Sequence, residues 1–184
     1  MHDLLKIHPE RVTVSVKPPA TGGKPPMAEL SEASLLVRSF MRAYRYTVSN
    51  WQPARLTKPL SACKVGLVTT AAFHLPTQPT FDLKLAGDPS FRVIPTDCDL
   101  TTLKVGHTSP SFDHTGIAQD PNLALPITRF QELVAEGVVG ALNARAWSFC
   151  GSIAKPGELI TRTAPEAAAQ ARADGVEVAL LTPV

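Results

Sequence analysis

The ten residues GVEVALLTPV, Gly175–Val184, decide how this sequence is read. Val176, Val178, Ala179, Leu180 and Leu181 make an almost unbroken apolar run between a glycine and Pro183. A short continuous run of this kind predicts a strand buried on both faces, as in the interior of a parallel sheet. Just upstream, TAPEAAAQARADG reads as a helix with Thr163 as N-cap, Pro165 in its first turn and Gly175 as its stop. Helix followed by buried strand is half of a βαβ unit, which pairs its strands in parallel.

Working towards the N-terminus, the same grammar recurs. VVGALNA predicts a strand, and ITRFQELVAE, from Ile127 to Glu136, predicts a helix. Pro126 opens that helix, where a missing N–H costs nothing, and Gly137 closes it, where a left-handed residue is cheap. KVGLVTT at 64–70 and FRVIP at 91–95 read as strands, and LKVGHTS at 103–109 as a third. The expected fold class is α/β: a mostly parallel, Rossmann-like sheet flanked by helices in three layers, left incomplete at its C-terminal end. Residues 17–26 are a Pro/Gly linker, so residues 1–28 are expected to be an arm. Residues 29–60 hold an amphipathic helix over Glu29–Val48 and a connecting loop, with Leu30, Ala33, Val37, Met41, Tyr44 and Val48 on one stripe. The α/β domain then occupies 61–184.

Bulk properties narrow the function classes. The 184 residues suit one domain with a core. A net charge of +2, without any run of like charges, gives no ground for a nucleic-acid partner. No apolar stretch reaches membrane-spanning length, and the N-terminus lacks the pattern of a secretory signal. Cys63, Cys98 and Cys150 are odd in number and far apart, which excludes a disulfide framework and suits a cytoplasmic setting. Seventeen prolines predict short elements and stiff loops.

No phosphate loop, zinc spacing or nucleophile elbow is present, so a nucleotide-binding reading lacks its glycine loop and no metal is expected. The candidates are polar groups at strand ends. His74 follows the 64–70 strand and falls near its carboxyl edge, where open α/β sheets bind ligands; it acts as acid, base or donor, or simply bonds a loop carbonyl. His107, Asp113 and His114 share the loop GHTSPSFDHTG, and a carboxylate beside an imidazole raises its basicity, although Asp113 equally suits a turn leading to Gly116. Asp88 and Arg92 in GDPSFR pair locally or hold an anionic group. Asp120 and Asn122, either side of Pro121, are turn residues first and ligand contacts second. Cys150 in SFCGS has no cationic neighbour in sequence and reads as a buried thiol.

The order KVGLVTTAAFHL, GDPSFRVIP, GHTSPSFDHTGIAQDPNLALPITRFQELVAEGVVG and WSFCGS resembles the glycine/sarcosine/betaine reductase selenoprotein B family, in particular its D-proline reductase selenoprotein-subunit branch. The likeness runs from Lys64 to Val184, and the first 60 or so residues carry none of it. It implies a reductase subunit, or the N-terminal part of one, that cleaves a C–N or similar bond in a small amino acid, betaine or related amine. In such proteins the strand resembling GVEVALLTPV continues into a selenocysteine or cysteine on the loop opening the next helix. A helix N-terminus keeps a selenol or thiol anionic. The resemblance further implies a pyruvoyl-bearing partner subunit, a homo- or hetero-oligomer, and no cofactor in this chain itself. The expectation is therefore a chain that stops where a UGA codon is read as stop, inactive without that nucleophile, although a deliberate truncation or a naturally short paralogue gives the same string. By the resemblance, His74, His107 and Asp113 are carried over as catalytic candidates, and Asp88, Arg92, Asp120 and Asn122 as substrate-binding candidates. Relatives often place Met where Cys150 stands, which argues against Cys150 as the nucleophile. The alternative is a non-enzymatic α/β binding or assembly domain that uses the 103–122 loop and the 29–48 helix.

Overall fold

The computed structural model describes residues 54–83, 87–107 and 114–184, and before them only Leu35, Arg38 and Ser39, which are helical. The remainder of the predicted 29–48 helix, the 1–28 arm and Asp113 lie outside the described residues. The chain divides into two units, Met1–Pro53 and Ala54–Val184. The second carries the elements that follow.

Among the described residues there are seven strands: β1 (Lys64–Thr69), β2 (Phe73–His74), β3 (Phe91–Pro95), β4 (Lys104–Val105), β5 (Ala141–Leu142), β6 (Arg145–Phe149) and β7 (Val178–Thr182). The helices are α1 (His114–Gln119), α2 (Ile127–Ala135) and α3 (Ala164–Ala173). β1 is the hub. It pairs in parallel with β7 over Val65–Thr69 on one side. On the other side it pairs in parallel with β5 at its start and β6 at its end. β3 closes that flank, antiparallel to β6. The result is a mixed sheet ordered β3–β6–β1–β7, an α/β fold in which the expected parallel pairing is central. Between β5 and β6 the ladder is interrupted, and Asn143 and Ala144 turn instead towards Thr96, which donates to both of their carbonyls.

Side-chain alternation in the strands builds two cores. Val65 and Leu67 of β1, Ile94 of β3 and Ala146 of β6 face α2, which contributes Ile127, Phe130, Leu133 and Val134. The opposite face presents Val68, Trp147 and Phe149 to Ala167 and Ala171 of α3. α2 has the periodic stripe read from sequence, and Gly137 takes the left-handed conformation at φ 72°. α3 differs from expectation at its start. Thr163 is not a cap: it is helical, at φ −75° and ψ −36°, because a π-type turn over Leu159–Thr163 already extends the helix upstream. Its hydroxyl donates instead to the Pro89 carbonyl at 2.6 Å. At the other end Gly175 (φ 76°) stops the helix as expected. Arg145 grips Asp174 with two hydrogen bonds of 2.6 and 2.7 Å, and Lys64 donates to the Asp174 carbonyl. α3 is thus fastened to the start of β1 and β6.

Three strand expectations need correction. β6 was not expected as a strand at all. LKVGHTS yields only the two residues of β4, which pair antiparallel with β2 in a separate small sheet. β7 forms where GVEVALLTPV predicts it, yet it is not buried on both faces: it is an edge strand, with Leu181 66% exposed. Among the described residues no helix is long and apolar enough to cross a membrane.

Candidate functional site

Topology selects one place on this sheet. From β1 the chain first visits β3 at the far side of β6, then returns by way of α2 on one face to β5 and β6, the neighbours of β1. From β6 it crosses back over β1 to β7 by way of α3 on the other face. Adjacent parallel strands whose connections leave on opposite faces define a switch point, and the crevice at their carboxyl ends is where open α/β sheets bind ligands. Here that crevice lies between the end of β1 and the end of β6, with the end of β7 alongside.

The backbone at this rim is closely knit. Gly151 N donates to the Thr70 carbonyl at 3.0 Å, Ala72 N to the Phe149 carbonyl at 2.8 Å, and Thr70 N to the Thr182 carbonyl at 3.2 Å. The Thr70 hydroxyl holds the end of the β7 segment from both sides: it accepts from Val184 N at 3.0 Å and donates to the Val184 carbonyl at 3.3 Å. Gly106 N donates to the Ala72 carbonyl at 2.9 Å, which brings the following residue, His107, over the crevice. His107 is 7% exposed. A methyl group on Gly151 would lie 2.9 Å from His107 Nε2 and 3.4 Å from the Val184 carbonyl oxygen. Imidazole, threonine and the end of β7 therefore converge on a residue that has no side chain. Burial first, and then the nearby His114, hold the His107 imidazole below its ordinary pKa, which favours the neutral ring.

Strain gathers at the same rim. Ala72 (φ 55°) and Ser152 (φ 56°) are the non-glycine residues with left-handed backbone among those described, and each lies three residues past the end of a rim strand. Such conformations cost on the order of 1–3 kcal/mol and cluster at functional sites. Ser148, paired with Thr69 at the end of β1, is fully buried and its hydroxyl has no hydrogen-bond partner. An orphaned buried hydroxyl costs about 1–3 kcal/mol. The sheet end is thus less relaxed than the remainder of the sheet.

The residues picked from sequence separate into two groups. His107 is in the crevice. His74 is buried nearby on β2, with Nδ1 3.4 Å from the Ala72 carbonyl that also receives Gly106 N–H, and its ring meets Phe81 edge-on. Asp88, Ser90 and Arg92 form a clamp on their own loop. Burial opposes ionisation of Asp88, but hydrogen bonds from Ser90 and from Asp82 N, with Arg92 3.6 Å away, hold its carboxyl below the usual range. Arg92 donates to the carbonyls of Pro79 and Thr80 and to Ser90 Oγ, and stacks over Phe81 at 4.1 Å. Asp120 caps the short turn Pro121–Leu123 by accepting from Asn122 N, and Asn122 in turn accepts from Thr128 N in the first turn of α2. His114 is exposed at the start of α1, and Asp113 lies outside the described residues. The residues that sequence reading passed over are Thr70, Gly151 and the strained pair Ala72 and Ser152.

Neither Cys98 nor Cys150 is set up as a nucleophile by a neighbouring cation. Burial, then Asp88, pushes the Cys150 thiol up; burial, then Asp97 and Asp99, does the same to Cys98. Cys63 is buried with Sγ 3.3 Å from the Pro59 carbonyl. Beside the crevice runs an apolar groove of about 470 Å³, floored by Val68, Trp147 and Phe149, walled by the alanines of α3, edged by Leu181 and reaching Thr70 and Cys150.

The class of protein these features define is an α/β protein that gathers its polar chemistry at one sheet switch point. Among curated proteins, the chain is 36% identical over 132 residues to the D-proline reductase subunit gamma of Acetoanaerobium sticklandii, a match covering 72% of this chain and 52% of that protein. The similarity supports the D-proline-reductase-like branch that the motif order indicates. The chain spans about half the length of this curated relative. No protein-family model matches the chain, and no solved structure matches it.

Proposed function

We propose that this chain is part of a cytoplasmic subunit of a D-proline-reductase-type oxidoreductase, acting on D-proline or a related small amine by reductive C–N cleavage. The nucleophile is a selenocysteine or cysteine carried on the backbone that leaves β7, and a pyruvoyl-bearing partner subunit activates the substrate. On this reading the 184 residues alone supply the scaffold and the crevice, and are inactive without that nucleophile and partner. The observation that carries the proposal is the identity to a D-proline reductase subunit. Two features of the site support it: His107 and Thr70 converge at the end of β7, and Cys98 and Cys150 are less acidic than ordinary thiols.

The test has two arms. The genomic codon after Val184 is expected to be UGA or a cysteine codon, followed by an open frame; an ordinary UAA or UAG with no related frame beyond it counts against the reading. The corresponding full-length protein, assembled with its partner subunits and a dithiol reductant, is expected to convert D-proline into 5-aminopentanoate, the product of opening the ring at its C–N bond. Absence of that product from an intact, correctly assembled complex rejects the substrate assignment.

A second reading, a binding or assembly domain without catalysis, is favoured by the open groove beside α3 and the exposed Leu181. It predicts that the chain joins a hetero-oligomer through this face and that the assembly turns over no amine.

A further inference from the structure

We propose that the groove between α3 and the sheet is a binding site for a small aliphatic carboxylate, with its chain along the alanines of α3 and its carboxylate on Arg172. The groove exists because α3 has nothing to fill it with. Ala164, Ala167, Ala168 and Ala171 face it, where a helix packed flat on a sheet carries leucine-sized side chains. Opposite them Trp147, Val68 and Leu181 form one row across β6, β1 and β7. The space of about 470 Å³ is of a size that small ligands occupy. α3 runs against the direction of β1 and β6. Thr163, at its start, bonds Pro89, while Asp174, at its end, is held by Lys64 and Arg145 at the starts of those strands. The groove therefore leads from Thr70 and Cys150 at the crevice to Arg172, a rise of about 12 Å along the helix from Ala164.

Charge distinguishes the two ends. Thr70 and Cys150 are neutral, and Arg172 and Glu177 stand at the far end. Glu177 is occupied: Oε1 meets Lys58 Nζ at 2.6 Å and Oε2 accepts from Lys64 N at 3.2 Å. Asp174 is occupied by Arg145 and Asn143. Among the described residues the Arg172 guanidinium has no hydrogen-bond or ion-pair partner. Lys58, Lys64, Arg145 and Arg172 thus outnumber the carboxylates of Asp174 and Glu177 at this end. The carbonyl end of α3 attracts a cation there, yet that does not account for the apolar channel leading to it. A guanidinium receives a carboxylate through parallel N–H donors. An aliphatic chain in the channel removes from water both itself and part of Leu181.

The test is a titration of the 184-residue chain with butanoate, hexanoate, octanoate and octanol, following the Trp147 indole N–H resonance and, by calorimetry, the affinity. Each step of two methylenes from butanoate to octanoate is expected to tighten binding about tenfold. Octanoate is expected to bind about fivefold more tightly than octanol, a gap that added salt narrows because Arg172 is exposed. Arg172→Gln is expected to close that gap and leave octanol binding unchanged. Ala168→Phe, which fills the channel, is expected to weaken both ligands by about tenfold or more. The Trp147 shift is read in the unsubstituted chain and so holds even if a variant fails to fold. A resonance unmoved by millimolar octanoate, equal affinities of the parent chain for octanoate and octanol, or octanoate binding unaltered in a folded Ala168→Phe chain overturns the inference. Octanoate binding that is lost as the chain dimerises in sedimentation assigns the groove to a second copy and overturns it as well. None of these measurements uses turnover or a partner subunit, so their outcome is separate from that of the reductase reading.

Discussion

Leu67 and Leu181 offer the sharpest test of how this sheet is finished. Both are leucines in parallel strands paired to one another, but Leu67 is 1% exposed in the core beneath α2 and Leu181 is 66% exposed on the edge strand. Truncating Leu67 to alanine removes a fully buried side chain and leaves a cavity, which costs about 3–5 kcal/mol. Leu181 has only about a third of its surface covered. Of the ~2 kcal/mol that full burial of a leucine contributes, about 0.7 kcal/mol is at stake, with no cavity. With a urea slope of about 1.5 kcal/mol per molar, Leu67→Ala lowers the unfolding midpoint by about 2 M or more, and Leu181→Ala by less than about 0.5 M. Urea titration of the 184-residue chain, followed by far-UV circular dichroism at two protein concentrations, measures both. A Leu181→Ala loss as large as that of Leu67→Ala refutes the reasoning, because the β7 face would then be covered in solution. Dependence of that loss on concentration would identify the cover as a second copy.

Three further outcomes follow from the packing and the charges. A methyl at Gly140 would sit 2.8 Å from the carbonyl oxygens of both Ser61 and Cys63, so Gly140→Ala is expected to cost about 2–3 kcal/mol, whereas Gly137→Ala, in open space but at φ 72°, costs about 1–2 kcal/mol; urea midpoints compare them. Hydrogen bonds from Arg145 and then Asn143 lower Asp174 to about 2, so its contribution to stability is complete above the unfolded carboxylate value near pH 4 and is lost as the pH falls towards 2. Asp174→Asn should flatten the acid limb in that window, and an unchanged limb in urea midpoints at pH 6, 4 and 3 would show the pair to be inert. Cys98 and Cys150, whose thiols are pushed up, should react with Ellman's reagent at pH 7 more slowly than a small-molecule thiol until the chain is denatured, and fast native labelling of either would contradict their placement.

What could be read from the sequence was whatever repeats or punctuates. β1 and β3 are apolar runs stopped by a turn or a proline, and α2 and α3 have helical spacing closed by Gly137 and Gly175; each forms where expected. β6 escaped because its alternation is one of size, not polarity: Ala146 and Ser148 are small and face the α2 side, while Trp147 and Phe149 are large and face α3. Ala146 to Phe149 are all buried, so no exposed polar face marks the strand. The burial of β7 was misjudged for the converse reason. An apolar run records what the strand is suited to touch, whereas its neighbours decide what it does touch, and among the described residues β7 has a pairing partner on one side only.

The site was legible only in part because its members act by different means. His107 carries chemistry in its own side chain, so residue type was enough to single it out. Thr70 and Gly151 act by position, and their position depends on which strands are neighbours, a fact unknown until β6 is recognised between β3 and β1. Asp88, Arg92, Asp120 and Asn122 look equally chemical in sequence, yet their hydrogen-bonding groups bond their own loops and the start of α2. A loop clamp and a ligand clamp use the same residue types, and only the identity of the acceptors separates them. His107 differs because it faces a glycine at the one crevice where both crossovers part, and the backbone strain at Ala72 and Ser152 lies on either side of that crevice.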